Sequence, residues 1–464
     1  MNSNFVNRNR ELADLDAAWE GKKASFIVLY GRRRIGKSRL IQEFIREKPA
    51  FYHIADDINP TVQIADFRKK LAPFLGDDLL GRHAFNTWPD LFEYLTKIIP
   101  RDKPMILAID EFSYWVKNDA SILSALQKFW DTFLSQTRVM LVVSGSLFGL
   151  MSESVLSAAS PLYGRRDRDI LLGPLDYRDA IEFLPMNPTD QLKTLFAVGG
   201  VPEYLLKASR FRSAEAFFNN EFFQKDGYFY REPYYILSRE FKEIKTYFTL
   251  LNAISIGNAK PVDIAHFAGI RHQEIYPYME NLIRLGFVKR ETPTPGKAKN
   301  GTYAISDTVF DFWFNFVHPR RELIEKGMFQ PDANQLNAYF GKRFEDWVRG
   351  HLLHGFTPFA PTRTGRWWHK AEEIDAVAMD EPQGRIAFAE CKWKDRVNAS
   401  EVAKQLDAKT PNVQWRNDDR EETLMVFAKS FSKKISEFDS KPVICVDLAD
   451  IAKTSRVSQK ANPN

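Results

Sequence analysis

Cysteine is scarce in this sequence, and long apolar runs are absent. The 464 residues include two cysteines, Cys391 and Cys445, which cannot form a disulfide framework or a zinc site. The N-terminal stretch MNSNFVNRNR lacks the apolar core of a signal peptide, and no stretch approaches the roughly 18 uninterrupted apolar residues of a membrane span. These absences predict a cytoplasmic protein with no membrane partner, and they argue against a secreted disulfide-rich scaffold.

A strong excess of one charge is absent as well. The net charge is +5 and the pI about 8.9. This balance permits a nucleic-acid partner without requiring one, because dedicated DNA-coating proteins carry a stronger and more clustered basic excess. Aromatic residues are plentiful: they make up 14% of the chain, with 37 phenylalanines, which is enough bulk for several cores. At roughly 100–200 residues per domain, the length indicates about three domains.

Apolar runs alternate with amphipathic stretches over the first 175 residues. The runs Ser25–Tyr30, Met105–Asp110 and Val139–Ser144 are short, β-rich and uniformly apolar, which is typical of parallel strands buried on both faces. Helical patterns are found at Lys37–Glu47, Trp88–Ile98 and Ala120–Ser135. Strand and helix in alternation predict an α/β fold built on a parallel sheet.

The rest of the chain forms three further blocks. Residues 176–235 read as helical, and residues 236–325 read as two short helices followed by a hairpin, which is the order of a winged helix. Residues 335–450 begin with a helix and continue with strand patterns at Glu373–Met379, Ile386–Trp393, Thr423–Phe427 and Val443–Asp447. We therefore predict domains at 1–175, 176–235, 236–325 and 335–450.

A glycine-rich loop joins the first predicted strand to the first predicted helix. Residues 31–38 read GRRRIGKS and match the phosphate-binding pattern G-x-x-x-x-G-K-[ST]. Main-chain amides of such a loop and the helix N-terminus attract phosphate oxygens. Lys37 is predicted to reach the β- and γ-phosphates of ATP, and Ser38 to ligate Mg²⁺. The remaining predicted nucleotide contacts are Gly31, Arg34, Ile35, Gly36 and Arg39.

Two acidic residues follow the second apolar run, in the Walker B arrangement. Asp110 ends the strand pattern MILAID and is predicted to hold Mg²⁺, directly or through water. Glu111 is predicted to polarise the water that attacks the γ-phosphate. Ser144 and Ser146 close the next apolar run, where they would contact the γ-phosphate or the attacking water. A serine-glycine turn explains these two serines equally well.

These motifs, together with FVNRNREL near the N-terminus and SPLYGRR at residues 160–166, resemble the prokaryotic and archaeal ATPases of the AAA+/STAND group. The resemblance implies a helical lid in which a Gly-x-Pro motif helps to sense nucleotide, and Gly200-Val201-Pro202 matches that motif. It also implies that Arg165 or Arg166 senses the γ-phosphate from a neighbouring subunit of a homo-oligomer. A basic surface turn is the alternative interpretation of these arginines.

The same resemblance implies a winged helix after the lid. Residues 271–285 would form the second helix of its helix-turn-helix. The wing carries four basic residues, Lys289, Arg290, Lys297 and Lys299. Such residues can neutralise DNA phosphates without reading sequence. The helix itself contains Glu274 and Glu280, which favour packing against another domain over DNA contact. Both interpretations stay open.

A second constellation of charged residues lies near the C-terminus. Asp375 and Glu390 are separated by a short turn pattern, which suits neighbouring strands, and Lys392 projects from the same face as Glu390. Two carboxylates and a lysine can bind Mg²⁺, position a water for phosphodiester cleavage and steady the developing charge. Glu345, on the preceding helix, is predicted as a further ligand.

This pattern resembles the PD-(D/E)xK nuclease superfamily, and the segments GRWW, EID and ECKW resemble the nuclease-like domain attached to archaeal ATPases. The resemblance implies an α/β protein: a P-loop NTPase parallel sheet with a helical lid, a winged helix, and a C-terminal α/β restriction-endonuclease-like domain. The predicted function is an ATPase that uses ATP and Mg²⁺ and regulates a DNA-binding or DNA-cleaving domain. The alternative is a nucleotide-switched signalling or defence regulator whose C-terminal domain binds nucleic acid without cutting it.

Overall fold

A computed structural model describes residues 5–21, 23–296 and 301–453. The chain divides into two compact units. Of the described residues, the first unit takes those within Met1–Pro185, Gly199–Arg212 and Tyr234–Lys242. The second unit takes those within Met186–Val198, Ser213–Pro233 and Glu243–Asn464. The predicted domain boundaries stay a prediction, since these units are interleaved along the chain.

A five-stranded parallel sheet forms the centre of the first unit. Its strands are β1 (Ser25–Tyr30), β2 (Ala50–Ile54), β3 (Met105–Asp110), β4 (Val139–Gly145) and β5 (Arg168–Leu171). Their order is β2-β3-β4-β1-β5, and every neighbouring pair is parallel. β3 and β4 are buried at every position, as the uniformly apolar runs predict. The predicted α/β fold with a parallel sheet is confirmed.

Helices pack on both faces of this sheet. They are α1 (Asn9–Glu20), α2 (Lys37–Phe44), α3 (Pro60–Leu75), α4 (Asp78–Arg82), α5 (Trp88–Ile98), α6 (Ser113–Asn118), α7 (Ser121–Thr132), α8 (Phe148–Leu150) and α9 (Tyr177–Ala180). Successive β1 side chains point to opposite faces. Phe26 and Val28 therefore join one apolar cluster with α3, α5 and α7, whereas Ile27 and Leu29 join another with α1 and α2.

The segment predicted as a lid is helical. It contains α10 (Pro188–Val198), α11 (Pro202–Ala208), α12 (Ala214–Glu221) and α13 (Tyr228–Glu240). α11 belongs to the first unit, and α10 and α12 belong to the second. Proline at the first position of α11 suits a helix start, because its missing amide hydrogen is not needed there.

The second unit contains the elements of the predicted winged helix in the predicted order. They are α14 (Ile244–Ser255), α15 (Pro261–Ala268), α16 (Ile275–Arg284), β6 (Val288–Glu291) and β7 (Thr302–Ile305). β6 and β7 pair antiparallel as a hairpin. The predicted wing residues Lys297 and Lys299 lie outside the described residues. α17 (Thr308–Phe316) and α18 (Arg321–Glu325) follow.

A six-stranded mixed sheet forms the C-terminal part of the second unit. This part of the chain contains α19 (Ala333–Trp347), α20 (Leu353–Phe356), β8 (Arg363–His369), β9 (Glu372–Asp380), β10 (Arg385–Lys392), β11 (Val397–Asn398), α21 (Ala399–Asp407), β12 (Glu421–Ala428), β13 (Phe431–Lys433), β14 (Glu437–Phe438) and β15 (Lys441–Val446). The sheet order is β14-β15-β12-β10-β9-β8. β9 pairs antiparallel with both β8 and β10. β12 pairs parallel with both β10 and β15. β11 and β13 pair with each other in a separate two-stranded sheet. Across residues 5–21, 23–296 and 301–453, no helix has both the length and the apolar character to cross a membrane.

Candidate nucleotide site and candidate metal centre

The glycine-rich loop follows β1 directly and ends where α2 begins. Gly31 and Gly36 have φ values of 153° and 95°, which residues other than glycine rarely adopt. A Cβ atom on Gly31 would also clash with the carbonyl oxygen of Leu172. Gly36 is the N-cap of α2, so the helix N-terminus opens onto the loop. The loop therefore has the conformation that turns main-chain amides toward an anion.

Lys37 is the first residue of α2 and its side chain is buried. Its ammonium donates to the carbonyl oxygens of Gly31 at 2.8 Å and Arg32 at 2.9 Å. Burial lowers the pKa of Lys37 to about 8, while the nearby carboxylates of Glu111 and Asp110 oppose that shift. Lys37 thus folds back on its own loop and faces two acidic groups.

Asp110 lies fully buried at the carboxyl end of β3. Its carboxylate accepts hydrogen bonds from the Tyr52 hydroxyl at 2.7 Å, from the Ser144 hydroxyl and from the amide of Glu111 at 3.0 Å. Burial and then the charge of Asp110 raise the pKa of the Tyr52 phenol, while the side chains of Gln42 and Ser38 lower it. Tyr52 therefore lies between the two predicted magnesium ligands, Ser38 and Asp110.

Glu111 adopts a left-handed backbone conformation, with φ of 56°. Its carboxylate accepts hydrogen bonds from the hydroxyl of Ser146 at 2.6 Å and from the amide of Ser146 at 3.3 Å. The carbonyl of Ser144 accepts from the amide of Phe112 at 2.7 Å. The two serines of the predicted turn thus orient the two acids: Ser144 contacts Asp110, and Ser146 contacts Glu111.

A cleft of about 1050 Å³ surrounds the loop. Predicted site residues that line it are Arg34, Ile35, Gly36, Lys37, Ser38, Arg39, Glu111 and Pro202. Pro202 approaches Gly36, since a Cβ atom on Gly36 would lie 3.8 Å from the proline ring. Arg34 donates to Glu203 at 2.8 Å. The start of α11 therefore borders the same cleft as the phosphate-binding loop.

Asp375 and Glu390 lie side by side on neighbouring antiparallel strands of the second unit. Ala376 pairs with Ala389, so the next position along the ladder sets Asp375 beside Glu390. Both carboxylates belong to residues that are 8% exposed. Asp375 accepts a hydrogen bond from the amide of Cys391 at 2.8 Å.

Two ammonium groups bracket Glu390. Lys392 donates to one carboxylate oxygen at 2.8 Å. Lys409, just beyond α21, lies 3.3 and 3.4 Å from the two oxygens and also donates to the carbonyl of Glu373 at 3.0 Å. The charge of Glu390 is thus neutralised from two directions.

Burial and neighbouring carboxylates raise the pKa of two acidic side chains in this centre. Burial and then the charge of Glu390 raise the pKa of Asp375, and burial and then the charge of Asp375 raise the pKa of Glu345. The charge of Asp375 therefore acts on Glu345, and the charge of Glu390 acts on Asp375, while the predicted role of these three residues as metal ligands stays a prediction. Within the part of the chain that the structure describes, no cluster of three or more histidine, cysteine, aspartate or glutamate side chains is arranged to hold a metal ion.

A chain of ion pairs connects this centre to the hairpin of the predicted wing. Asp346 accepts from Lys289 at 3.3 Å, from Arg343 at 3.2 Å and from Arg349. Arg349 also donates to the carbonyl of Asp375 at 2.5 Å. Lys289 pairs with Glu291 at 2.6 Å as well. In this structure the Lys289 ammonium is paired with two carboxylates, and its predicted contact with DNA phosphates stays a prediction.

Comparison with known proteins identifies the parts of the chain. A family model for an ATPase domain predominantly from Archaea matches residues 5–207, and a family of archaeal and bacterial proteins of unknown function matches residues 313–405. The sugar-specific transcriptional regulator TrmB family matches residues 241–303. Uncharacterized protein MJECL04 of Methanocaldococcus jannaschii is 32% identical over 400 residues, which cover 84% of this chain and 88% of that protein. The chain belongs to the archaeal P-loop ATPase family that carries this C-terminal domain.

Two further proteins to which this chain is similar come from Pyrococcus abyssi. Uncharacterized ATP-binding protein PYRAB06260 is 29% identical over 254 residues, which cover 45% of this chain and 73% of that protein. The solved structure of the Walker-type ATPase PABY2304 is 20% identical and covers 68% of this chain and 97% of that one, with a TM-score of 0.48.

Arg165 of the ATPase lies away from the phosphate-binding loop of its own chain. Its guanidinium pairs with Asp131 at 2.8 Å and donates to the carbonyls of Pro161 and Tyr163. The adjacent Asp167 accepts from the amide of Phe26, at the opposite end of β1 from the loop. The interpretation as a surface turn describes this geometry within one chain, and a role toward a neighbouring subunit stays a prediction.

Several residues near the two centres carry no motif in the sequence. Tyr52 reaches Asp110 from an edge strand, and Lys409 reaches Glu390 from the end of a helix. Glu240, at the end of α13, has its pKa raised to about 7 by burial, while the charges of Arg32, Arg33 and Lys37 oppose the shift. Such contacts join positions far apart in sequence, so spacing alone could not have found them.

Proposed function

We propose that this P-loop ATPase uses ATP to regulate a Mg²⁺-dependent centre in its own C-terminal domain that binds and cleaves DNA. The observation that carries the proposal is that Asp375 and Glu390 follow the last paired residues of two adjacent strands, Ala376 and Ala389, and interact electrostatically, with Lys392 donating to Glu390. Buried carboxylates are costly in a core that has no use for them. Mg²⁺ takes hard oxygen ligands and is commonly held by one or two carboxylates and several waters, so the donor set fits this ion.

The residues of this centre suggest a division of labour. Asp375, fixed by the amide of Cys391, and Glu390 would hold the ion, and Glu345 would join once a cation offsets the neighbouring charges. When bound, Mg²⁺ would lower the pKa of a water and polarise the phosphodiester. Lys392 would then turn from Glu390 to the negative charge that develops on the phosphate.

In the first unit, the proposed nucleotide is ATP, and the ATP-binding name of the relative PYRAB06260 supports this choice. Lys37 would leave the carbonyls of its loop for the β- and γ-phosphates. Ser38 and Asp110 would hold Mg²⁺, with Ser144 orienting Asp110, and Glu111 would position the attacking water. Pro202 would report the bound nucleotide to the lid, and Arg165 would act only in a homo-oligomer.

A cleavage assay tests the proposed C-terminal chemistry. Plasmid, linear duplex and single-stranded DNA are incubated with the full chain and Mg²⁺ or Mn²⁺, with and without ATP. We expect cleavage by the wild type and a loss of about 100-fold or more in Glu390→Gln and Lys392→Met, in line with removal of groups that stabilise charge in a transition state. Glu401→Gln, on an exposed position of α21, is the matched control. Absence of wild-type cleavage with either metal and all three substrates would refute the proposal.

A nucleotide-switched regulator is the second candidate, and the match of residues 241–303 to a transcriptional-regulator family favours it. In this case the C-terminal domain binds nucleic acid without cutting it. DNA binding that weakens steeply with salt, ATP turnover that rises with DNA, and equal binding by the wild type and Glu390→Gln would support the regulator. Metal-dependent cleavage that Glu390→Gln abolishes would reject it.

A further inference from the structure

A groove of the second unit lies between the segment that follows the wing strand β6 and the turn that joins β8 to β9. Its volume is about 1070 Å³. Its lining includes Pro293, Pro295, Trp368, Lys370, Asn412 and Gln414. The groove thus combines flat apolar surfaces with side-chain amides and an exposed ammonium.

Adjacent tryptophans of β8 have opposite environments. Trp367 is 4% exposed and packs with Ile374 in the core of the C-terminal sheet. Trp368 is half-buried and its ring borders the groove. The guanidinium of Arg366 lies 4.7 Å from the centroid of the Trp368 ring and is itself paired with Glu291 at 3.2 Å. An arginine fixed by the wing strand therefore holds Trp368 in position.

The strand register shows where Trp368 lies relative to the metal centre. Trp368 pairs with Glu373 across β8 and β9, but the register shifts between this part of the ladder and the pair Gly365–Val377, so regular alternation along β9 is interrupted next to Asp375. Asp375 is two positions further along β9, roughly 7 Å at the rise of an extended strand. Glu390 lies beside Asp375 on the next strand. Glu390 is two residues from Phe388, which lies in the same apolar core as Trp367, so the Glu390 side chain projects to the Trp367 face rather than the Trp368 face.

The other groups of the groove suit the edge of a nucleobase. The side-chain amide nitrogen of Asn412 donates a hydrogen bond to the Glu372 carboxylate at 2.8 Å. The side-chain oxygen of Asn412 is a hydrogen-bond acceptor. The exposed Lys370 supplies positive charge at the turn. Aromatic platforms with neighbouring positive charge are how proteins bind single strands, because every base has a face that stacks.

We propose that this groove binds an unpaired nucleic-acid strand, with one base stacked on Trp368 and the negative charge of the strand balanced by Lys370. Stacking requires a base free of its duplex partner, so the groove selects single strands, frayed ends or flaps over intact duplex. This proposal rests on the proposed nucleic-acid binding of the C-terminal domain and does not depend on cleavage at Asp375 and Glu390.

Strand binding is measured in EDTA, so that cleavage plays no part. Fluorescence anisotropy of labelled oligo-dT and oligo-U is compared with that of a duplex of equal length. Wild type, Trp368→Ala, Trp368→Phe and Trp415→Ala are compared. Trp415 is the matched control, since it is also half-buried with an arginine, Arg416, 5.8 Å from its ring centroid, and it lies outside the groove lining. Thermal unfolding checks that each variant folds.

We expect the wild type to prefer the single strand, and Trp368→Ala to lose about tenfold or more of that affinity, as stacking of one base predicts. Trp368→Phe should retain most of it, and duplex binding should not change. A folded Trp368→Ala variant with wild-type affinity, equal loss in Trp415→Ala, or displacement of the oligonucleotide by a proline-rich peptide would overturn the proposal. Strand binding without cleavage would reject the nuclease function and leave the groove standing, so the two failures are distinguishable.

Discussion

Lys37 carries a buried ammonium group, and a bound anion would favour its charged form. Its pKa is lowered to about 8 by burial, and its ammonium is held by two carbonyl oxygens of its own loop. A bound triphosphate favours the charged form, so binding should raise this pKa and take up a proton at pH values above about 8. We therefore expect ATP affinity to fall as pH rises through about 8, with buffer-dependent heats in calorimetry that report the proton uptake.

Lys37→Ala should remove this pH dependence together with about 10- to 100-fold of the affinity, because hydrogen bonds to charged groups contribute about 1.5–3 kcal/mol. Lys48→Ala is the control, since Lys48 follows the same helix but donates to the carbonyl of Phe44 and pairs with Asp16. An affinity that stays constant between pH 7 and pH 9.5 in the wild type would contradict this account of Lys37.

Motif residues could be predicted from the sequence because each motif is contiguous or lies at a strand tip. Lys37 follows a glycine loop, and Asp110 and Glu111 end an apolar run. Asp375 and Glu390 were predictable as neighbours because a short turn joins their strands. Tyr52 and Lys409 were not predictable, since their contacts depend on which strand and which helix end pack beside the site.

Some strands could be predicted from the sequence and others could not. β1, β3 and β4 were predicted from uniformly apolar runs because all three are interior strands of the sheet. β2 and β5 were missed because they lie at the two edges, where AFYHI alternates in burial and RDIL buries a single residue. An edge strand keeps one side in contact with solvent or loops and loses the apolar signature of a buried strand. β8, at the edge of the C-terminal sheet, was missed for the same reason.

The start of α11 depends on a glycine. The carbonyl of Gly200 accepts from the amide of Leu175 at 2.8 Å, and a Cβ atom on Gly200 would clash with the main chain of Leu175. Gly200→Ala should therefore displace Pro202 from the cleft and cost about 1–3 kcal/mol, the usual range for overpacking. The midpoint of urea unfolding and the affinity for ATP should both fall.

Gly173→Ala is the matched control for this element, because a Cβ atom on Gly173 would meet nothing within 4 Å. We expect it to unfold and bind nucleotide as the wild type does. If Gly200→Ala matched Gly173→Ala in both measurements, the close approach of Leu175 to the start of α11 would have no part in the nucleotide site.

The two compact units are interleaved along the chain, and composition along the chain could not reveal this interleaving. The chain passes from one compact unit to the other after Pro185, Val198, Arg212, Pro233 and Lys242. α11, whose Pro202 borders the nucleotide cleft, is thus flanked on both sides by chain that belongs to the second unit. The chain therefore joins α11 directly to α10 on one side and to α12 on the other.

This connectivity leads to a prediction for the two centres together. In the wild type, ATP should change the rate of metal-dependent DNA cleavage, measured with and without ATP. Lys37→Ala should cleave at one rate under both conditions, because its loop no longer holds the triphosphate. Glu390→Gln should bind ATP with wild-type affinity and lose cleavage. If Lys37→Ala still responded to ATP while failing to bind it at the loop, regulation through the first unit would be wrong. A response lost in Gly200→Ala but kept in Gly173→Ala would then assign the coupling to α11, since the two variants differ in whether the new methyl group meets the main chain.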